Sequence, residues 1–241
     1  MWAASMANTI NERKGRHTMK ATRDCTLTLL GDSYTTFKGC IPEENYVYYP
    51  HVNVPDMQRA EDTWWRLLMG MRNLRLLVND SSSGTTVSTS VRPHHKIDDA
   101  FVMRMKNSLS AAGVNGEKPD CILLFGGTND GWTDVPVGEV QYENWTEEDL
   151  KRFLPAFCYM LCYVTSQNPD AAVAAIVNTD LAEGMPQGMQ AACAHYGVHC
   201  ILLRDISKSH GHPDCEGMRQ VARQVNDALD RIDTEEGQRH A

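Results

Sequence analysis

Five short, almost uninterrupted apolar runs restrict how this chain can fold more than any other feature: Thr26–Leu30, Leu74–Val78, Cys121–Phe125, Ala172–Val177 and His199–Leu203. A strand with one wet face alternates polar and apolar residues, whereas a strand covered on both faces does not, and the second pattern belongs to parallel sheets. The segments between the runs carry helical spacing. Trp64, Trp65, Leu67, Leu68 and Met71 recur on one face, and Met218, Val221, Ala222, Val225, Leu229 and Ile232 form a continuous apolar stripe near the end of the chain. Thr146 and Asp149 form a capping box ahead of a helix through Phe153, Phe157 and Leu161. Strand–helix alternation of this kind predicts an α/β fold: three layers, α/β/α, around a five-stranded parallel sheet with right-handed crossovers.

The 241 residues suffice for one domain, expected over 24–232, with a polar tail at 233–241. Residues 1–23 carry five basic side chains against Glu12 and read as a disordered basic leader, with Met19 a candidate start of the folded protein. The whole chain has a formal charge of −8, which leaves −12 for the remainder. So acidic a body repels phosphate backbones, and nucleic acid is not an expected partner. The longest apolar run, Ala156 to Val164, has nine residues against the ~20 that span a bilayer, so no membrane crossing is expected. The leader has no apolar core of a secretion signal, which points to the cytoplasm. Cys121 and Cys200 lie in apolar runs, and Cys158 and Cys162 share a helical pattern, so the eight cysteines read as free thiols. His210, His212 and Cys215 are too few, and wrongly spaced, for a metal centre, and neither metal nor cofactor is expected.

In a doubly wound sheet the site lies beyond the carboxyl ends of the strands. Gly31-Asp32-Ser33 follows the first run, and Asn79 to Gly84 follows the second. Gly126-Gly127-Thr128-Asn129-Asp130 follows the third, and Asp205 and His210-Gly211-His212-Pro213 follow the fifth. These groups suit acyl transfer. Ser33 is a hydroxyl at a tight turn out of a strand, and His212 is the base that a serine needs to become nucleophilic. The Ser33 and Gly84 N–H groups and the Asn129 amide are candidate donors to the oxyanion that such an attack creates.

Taken in order, Gly31-Asp32-Ser33, Gly84, Gly127-Thr128-Asn129-Asp130 and His212-Pro213 resemble the sequence blocks of the SGNH (GDSL-type) hydrolases. The resemblance spans residues 26 to about 230. It implies an esterase that needs no cofactor, with Ser33 as nucleophile, His212 as base, and Ser33, Gly84 and Asn129 as the oxyanion hole. It also implies a flavodoxin-like order of the five strands. The chain departs from the family at one point. Ser209 stands three residues before the histidine, where the family usually has aspartate, so Asp205, Asp214 or a backbone carbonyl is left to orient the imidazole, with Asp205 the first choice.

The expected partner is a small-molecule ester; the sequence is silent on oligomeric state. Tyr46, Tyr48, Tyr49, Trp132, Tyr142 and Trp145 lie in loops after the first and third runs. Tyr48, Tyr49 and Trp132 are candidates for the substrate rim, and aromatic walls suit sugar rings better than long acyl chains. A short-chain, acetyl-type esterase acting on O-acylated carbohydrate is therefore expected. The rival readings are a lysophospholipase or thioesterase, and a non-catalytic flavodoxin-like binding module.

Overall fold

In the computed structural model, which describes residues 22–239, the five apolar runs form one parallel sheet in the order β2-β1-β3-β4-β5. The strands are β1 (Thr26–Gly31), β2 (Arg75–Ser81), β3 (Cys121–Phe125), β4 (Ala172–Val177) and β5 (His199–Leu202). β2 continues past its apolar run because Asn79, Asp80 and Ser81 stay in register with Leu29, Leu30 and Gly31 of β1. The helices are α1 (Trp64–Arg72), α2 (Phe101–Ser108), α3 (Thr128–Trp132), α4 (Phe153–Gln167), α5 (Met185–Tyr196) and α6 (Cys215–Arg239).

Successive strand residues serve opposite layers, which is why the runs do not alternate. Leu27 and Leu29 of β1 and Leu123 and Phe125 of β3 pack with Trp64, Trp65, Met218 and Val225 of α1 and α6. Leu30, Ile122 and Leu124 face the other way, into a core shared with α2, α4 and α5. The strand order reverses between β1 and β3, and an open α/β sheet forms its binding crevice beyond the strand ends at such a point. Ser33 leaves β1 there and Asn129 leaves β3. None of the described helices is long and apolar enough to cross a membrane.

The domain reaches further at both ends than its apolar pattern does. Thr22 is buried, and its N–H and hydroxyl donate to Asp233 at 3.0 and 2.9 Å. The buried guanidinium of Arg72 binds the carbonyl of Thr22 at 2.8 Å and the Asp230 carboxylate at 2.7 Å. These pairs fix α6 at Asp230 and Asp233, and the helix runs on to Arg239, beyond the expected end at residue 232, where the apolar stripe stops. The leader expectation falls almost wholly on residues 1–21, outside the described residues.

Two strands without a sequence signal, β6 (Lys208–Ser209) and β7 (His212–Pro213), form a small antiparallel hairpin in which Ser209 lies opposite His212. Its two-residue loop, His210-Gly211, has φ of 49° and 80°. Left-handed backbone at both loop positions marks the tight hairpin turn that matches strand twist. This hairpin delivers His212 to the end of the parallel sheet.

Candidate active site

The serine turn is built by crowding that only glycine tolerates. A Cβ on Gly31 would lie 2.7 Å from both Ser81 Oγ and Thr35 Cβ. Beyond it, the Asp32 N–H donates to the Phe125 carbonyl at 3.2 Å, and Asp32 Oδ1 accepts the Tyr34 N–H at 3.0 Å. The chain then curls into a 3₁₀ turn, Ser33–Thr35, with Ser33 only 2% exposed. Burial, with some help from Asp130, pushes the Asp32 carboxyl up to about 7.

His212 meets Ser33 across the crevice, with Nε2 3.1 Å from Oγ. Its Nδ1 lies 3.3 Å from the carbonyl of His210, so Nδ1 carries the proton and Nε2 is left to accept. Burial is the main influence on its titration and lowers the midpoint to about 4. The His210 carbonyl acts against that shift, while His51, Lys208 and Arg92 add to it. The imidazole is therefore neutral near pH 7, in the form that can take a proton.

The expected orienter, Asp205, is not there. It is exposed, in a left-handed conformation with φ 52°, and has no hydrogen bond to His212 among the described residues. The hairpin explains the difference: its tight turn puts the His210 carbonyl on Nδ1, the atom that a carboxylate from the exit of β5 would have to reach. Ser209, in the usual aspartate position, donates instead to the Asn53 carbonyl at 2.7 Å. Asp214 caps α6, accepting the Gly217 N–H at 2.8 Å and the Ser207 hydroxyl at 2.7 Å.

The third wall comes from β3. Asn129 is buried; its Nδ2 donates to the Thr85 carbonyl at 3.0 Å and its Oδ1 accepts from Arg92 Nη1 at 3.0 Å. One Nδ2 hydrogen remains. Next to it, Asp130 accepts the N–H groups of Val87 and Ser88 at 2.8 and 3.0 Å, and burial pushes its carboxyl up to about 6. The two residues pin the loop that holds Gly84, whose φ is +76° and whose absent Cβ would sit 2.7 Å from His95 Nε2. Among the described residues, neither the Ser33 N–H nor the Gly84 N–H meets an acceptor. Arg104 of α2 secures the far side of this loop. It is buried and donates to the Gly31 carbonyl at 3.1 Å, Thr85 Oγ1 at 3.2 Å and Asp80 Oδ1 at 3.0 Å.

Sequence reasoning gave no role to Arg92, Arg104 or Asp130. Arg104 left a trace, a charge inside the apolar stripe of Phe101 and Met105, but Arg92 left none. The aromatic residues divide. Tyr48 and Trp132 flank His212, with ring centroids 3.7 and 5.5 Å from the imidazole. Tyr49 does not form a rim: it is fully buried and donates its hydroxyl to the Pro213 carbonyl at 2.7 Å. Tyr142 and Trp145 pack against His195 and Tyr159, on the α4–α5 side of the sheet. Among the described residues no cluster of His, Cys, Asp or Glu is arranged to hold a metal ion, and Cys215 turns its thiol to the Asp56 carbonyl at 3.0 Å.

Residues 25–229 match the family model of GDSL-like lipases and acylhydrolases. The chain belongs to that family. Two solved structures assigned as GDSL-like lipases are similar to this hydrolase over nearly their full length. The one from Bacteroides ovatus is 34% identical with a TM-score of 0.78, covering 86% of this chain and 98% of its own. The one from Bacteroides uniformis is 36% identical with a TM-score of 0.76, covering 86% and 96%. A family two carbohydrate esterase from Clostridium thermocellum, solved with cellohexaose, shares the fold at 16% identity and a TM-score of 0.58, covering 88% of this chain and 65% of its own. No curated protein matches the chain.

Proposed function

We propose that this GDSL-like hydrolase cleaves short-chain carboxylic esters with a Ser33–His212 dyad, and that its substrates are O-acylated carbohydrates. The observation that carries the reading is the 3.1 Å approach of His212 Nε2 to Ser33 Oγ, with Nδ1 held on a carbonyl. As Oγ attacks the ester carbon, its proton passes to Nε2. The carbonyl oxygen becomes an oxyanion, for which the Ser33 N–H, the Gly84 N–H and the remaining Asn129 hydrogen are the available donors. Collapse breaks the bond to the alcohol oxygen, which takes the Nε2 proton and leaves an acyl-serine. Water then attacks that ester, gives its proton to Nε2, and the acid departs as Oγ regains the proton. An aspartate in a triad holds tautomer and orientation; here the His210 carbonyl supports both.

The carbohydrate assignment rests on Trp132, which is 45% exposed beside Gly211 and His212. Such a surface packs on the C–H face of a sugar ring. The eight free cysteines favour a reducing compartment, in keeping with a cytoplasmic site of action.

Labelling with a fluorophosphonate, followed by peptide mapping, tests the dyad. A single adduct on Ser33 that is lost in Ser33→Ala supports it, and an active, unlabelled Ser33→Ala protein overturns it. Acetylated sugars compared with acyl esters of rising chain length test the substrate class. Preference for octanoyl or longer chains would favour a lysophospholipase-type activity instead.

A further inference from the structure

One ring lies flat on the imidazole of His212. The Tyr48 centroid is 3.7 Å away and the two planes differ by 8°. Two neutral aromatic rings avoid such a face-to-face sandwich and prefer offset or edge contacts. Here the sandwich is built in. The Tyr48 N–H donates to Thr36 Oγ1 at 3.0 Å, and that hydroxyl donates to the Ser33 carbonyl at 3.0 Å. Tyr49, bonded to Pro213 beside His212, braces Tyr48 edge-on at 4.9 Å. Trp132 and Tyr34 complete the ring of aromatics at 5.5 and 5.4 Å.

His51 and the Lys208 and Arg92 cations act against a positive imidazole, although Lys208 is itself paired with Asp180 at 3.2 Å. His51 stacks on Tyr48 at 4.5 Å, Lys208 lies 5.6 Å over the Tyr34 ring, and Arg92 sits on Asn129 at 3.0 Å. No carboxylate bonds to His212 among the described residues. Yet transfer of the Ser33 proton creates an imidazolium in a buried site, where an uncompensated charge is costly. The negative face of an aromatic ring stabilises a cation, and does so most strongly when water is excluded. We infer that Tyr48 is a positioning residue for catalysis: its ring face holds His212 in plane and stabilises the imidazolium formed in the transition state, in place of the aspartate usual at the position of Ser209. The inference rests on the proposed Ser33–His212 reaction.

The experiment replaces Tyr48 with Phe, with Leu, and with a series of increasingly fluorinated phenylalanines that keep the ring's shape while weakening its negative face. Each variant is read by kcat and KM on a short-chain ester and by the NMR titration midpoint of labelled His212. Tyr48→Phe is expected to stay within about 3-fold of wild-type kcat. Tyr48→Leu is expected to lose about 10- to 30-fold in kcat with KM little changed. Along the fluorinated series, log kcat and the His212 midpoint fall together. A flat series, or a rise in KM alone, overturns the inference and makes Tyr48 a substrate wall. The NMR midpoint needs no turnover, so it tests Tyr48 even if wild-type protein fails to hydrolyse esters and the functional reading falls.

Discussion

Arg92 donates from Nη1 to Oδ1 of Asn129 across 3.0 Å, and among the described residues no carboxylate pairs with its guanidinium. The contact fixes which way the amide faces, because an oxygen held by Arg92 puts the nitrogen towards the Thr85 carbonyl. It also polarises the amide and strengthens its remaining N–H as a donor. Asn129→Ala should therefore lower kcat by about 10²–10³ with little change in KM, the usual cost of one oxyanion donor. Arg92→Gln should cost less, about 10-fold, since the amide stays but loses its polarising partner. It should also raise the acid midpoint of the rate profile, because a cation that disfavours protonated His212 is gone. A change confined to KM in both variants would show that they bind ground-state substrate instead.

The orientation of His212 by a carbonyl predicts which carboxylates are dispensable. Asp205→Asn and Ser209→Ala should each keep kcat within about 2-fold, while His212→Ala should be nearly inactive. Losing a triad aspartate can cost about 10⁴ in kcat. A loss of that size at Asp205, measured on a short-chain ester, would put a carboxylate back into the mechanism.

The sequence was most informative where the backbone repeats itself. The apolar runs of β3 and β4 show their own ends because both faces of those strands are buried, and turn chemistry at Gly31 and Gly84 follows from crowding and positive φ that only glycine meets. It was least informative where a side chain acts over long sequence separation. Asp205 lies seven positions before His212 and looked reachable, but the His210-Gly211 turn, too short to show in any periodicity, decides what faces Nδ1. Tyr48 and Tyr49 are neighbours of identical chemistry, and nothing local says that one would stack on His212 and the other anchor under Pro213. Arg92 and Arg104 meet their partners only through the fold.

Arg104 gives a stability prediction of a definite size. Its guanidinium ties the ends of β1 and β2 to the Gly84 loop and pairs with Asp80, with both side chains less than a tenth exposed. Arg104→Met leaves the buried Asp80 carboxylate without a cation, held among the described residues only by the Asn45 amide at 3.0 Å, which costs about 3–5 kcal/mol. Urea unfolding should show that loss, and adding Asp80→Asn should recover part of it by removing the stranded charge. A single variant as stable as wild type would mean that the Asn45 amide and water suffice for Asp80.

Acid–base behaviour of the native site should split activity from stability. His212 titrates near 4 in the folded protein against an ordinary value of 6.5, so it remains a competent base well below neutral pH. The acid limb of kcat/KM should therefore fall with a midpoint near 4, and the rate at pH 5.5 should match that at 7.5. Stability carries two opposed contributions over much of the same range. Between about 6.5 and 4 the unfolded chain protonates His212 and the native state does not, so this residue destabilises the fold as pH falls. Asp32 has the opposite sign: the native carboxyl holds its proton up to about 7 against an ordinary 3.8, so the fold loses stability as pH rises through that window. Asp130, raised to about 6, acts in the same direction as Asp32. Wild-type urea midpoints should thus fall as the pH rises from 4 towards 7, because Asp32 and Asp130 together outweigh the opposed contribution of His212. Asp32→Asn keeps an oxygen for the Tyr34 N–H but removes the largest of these titrations, and it should leave a protein whose stability varies little over this range, since Asp130 and His212 then offset one another. His212→Gln should instead gain stability, relative to wild type, as the pH is lowered. Parallel profiles for all three proteins would show that neither group titrates differently in the folded and unfolded states.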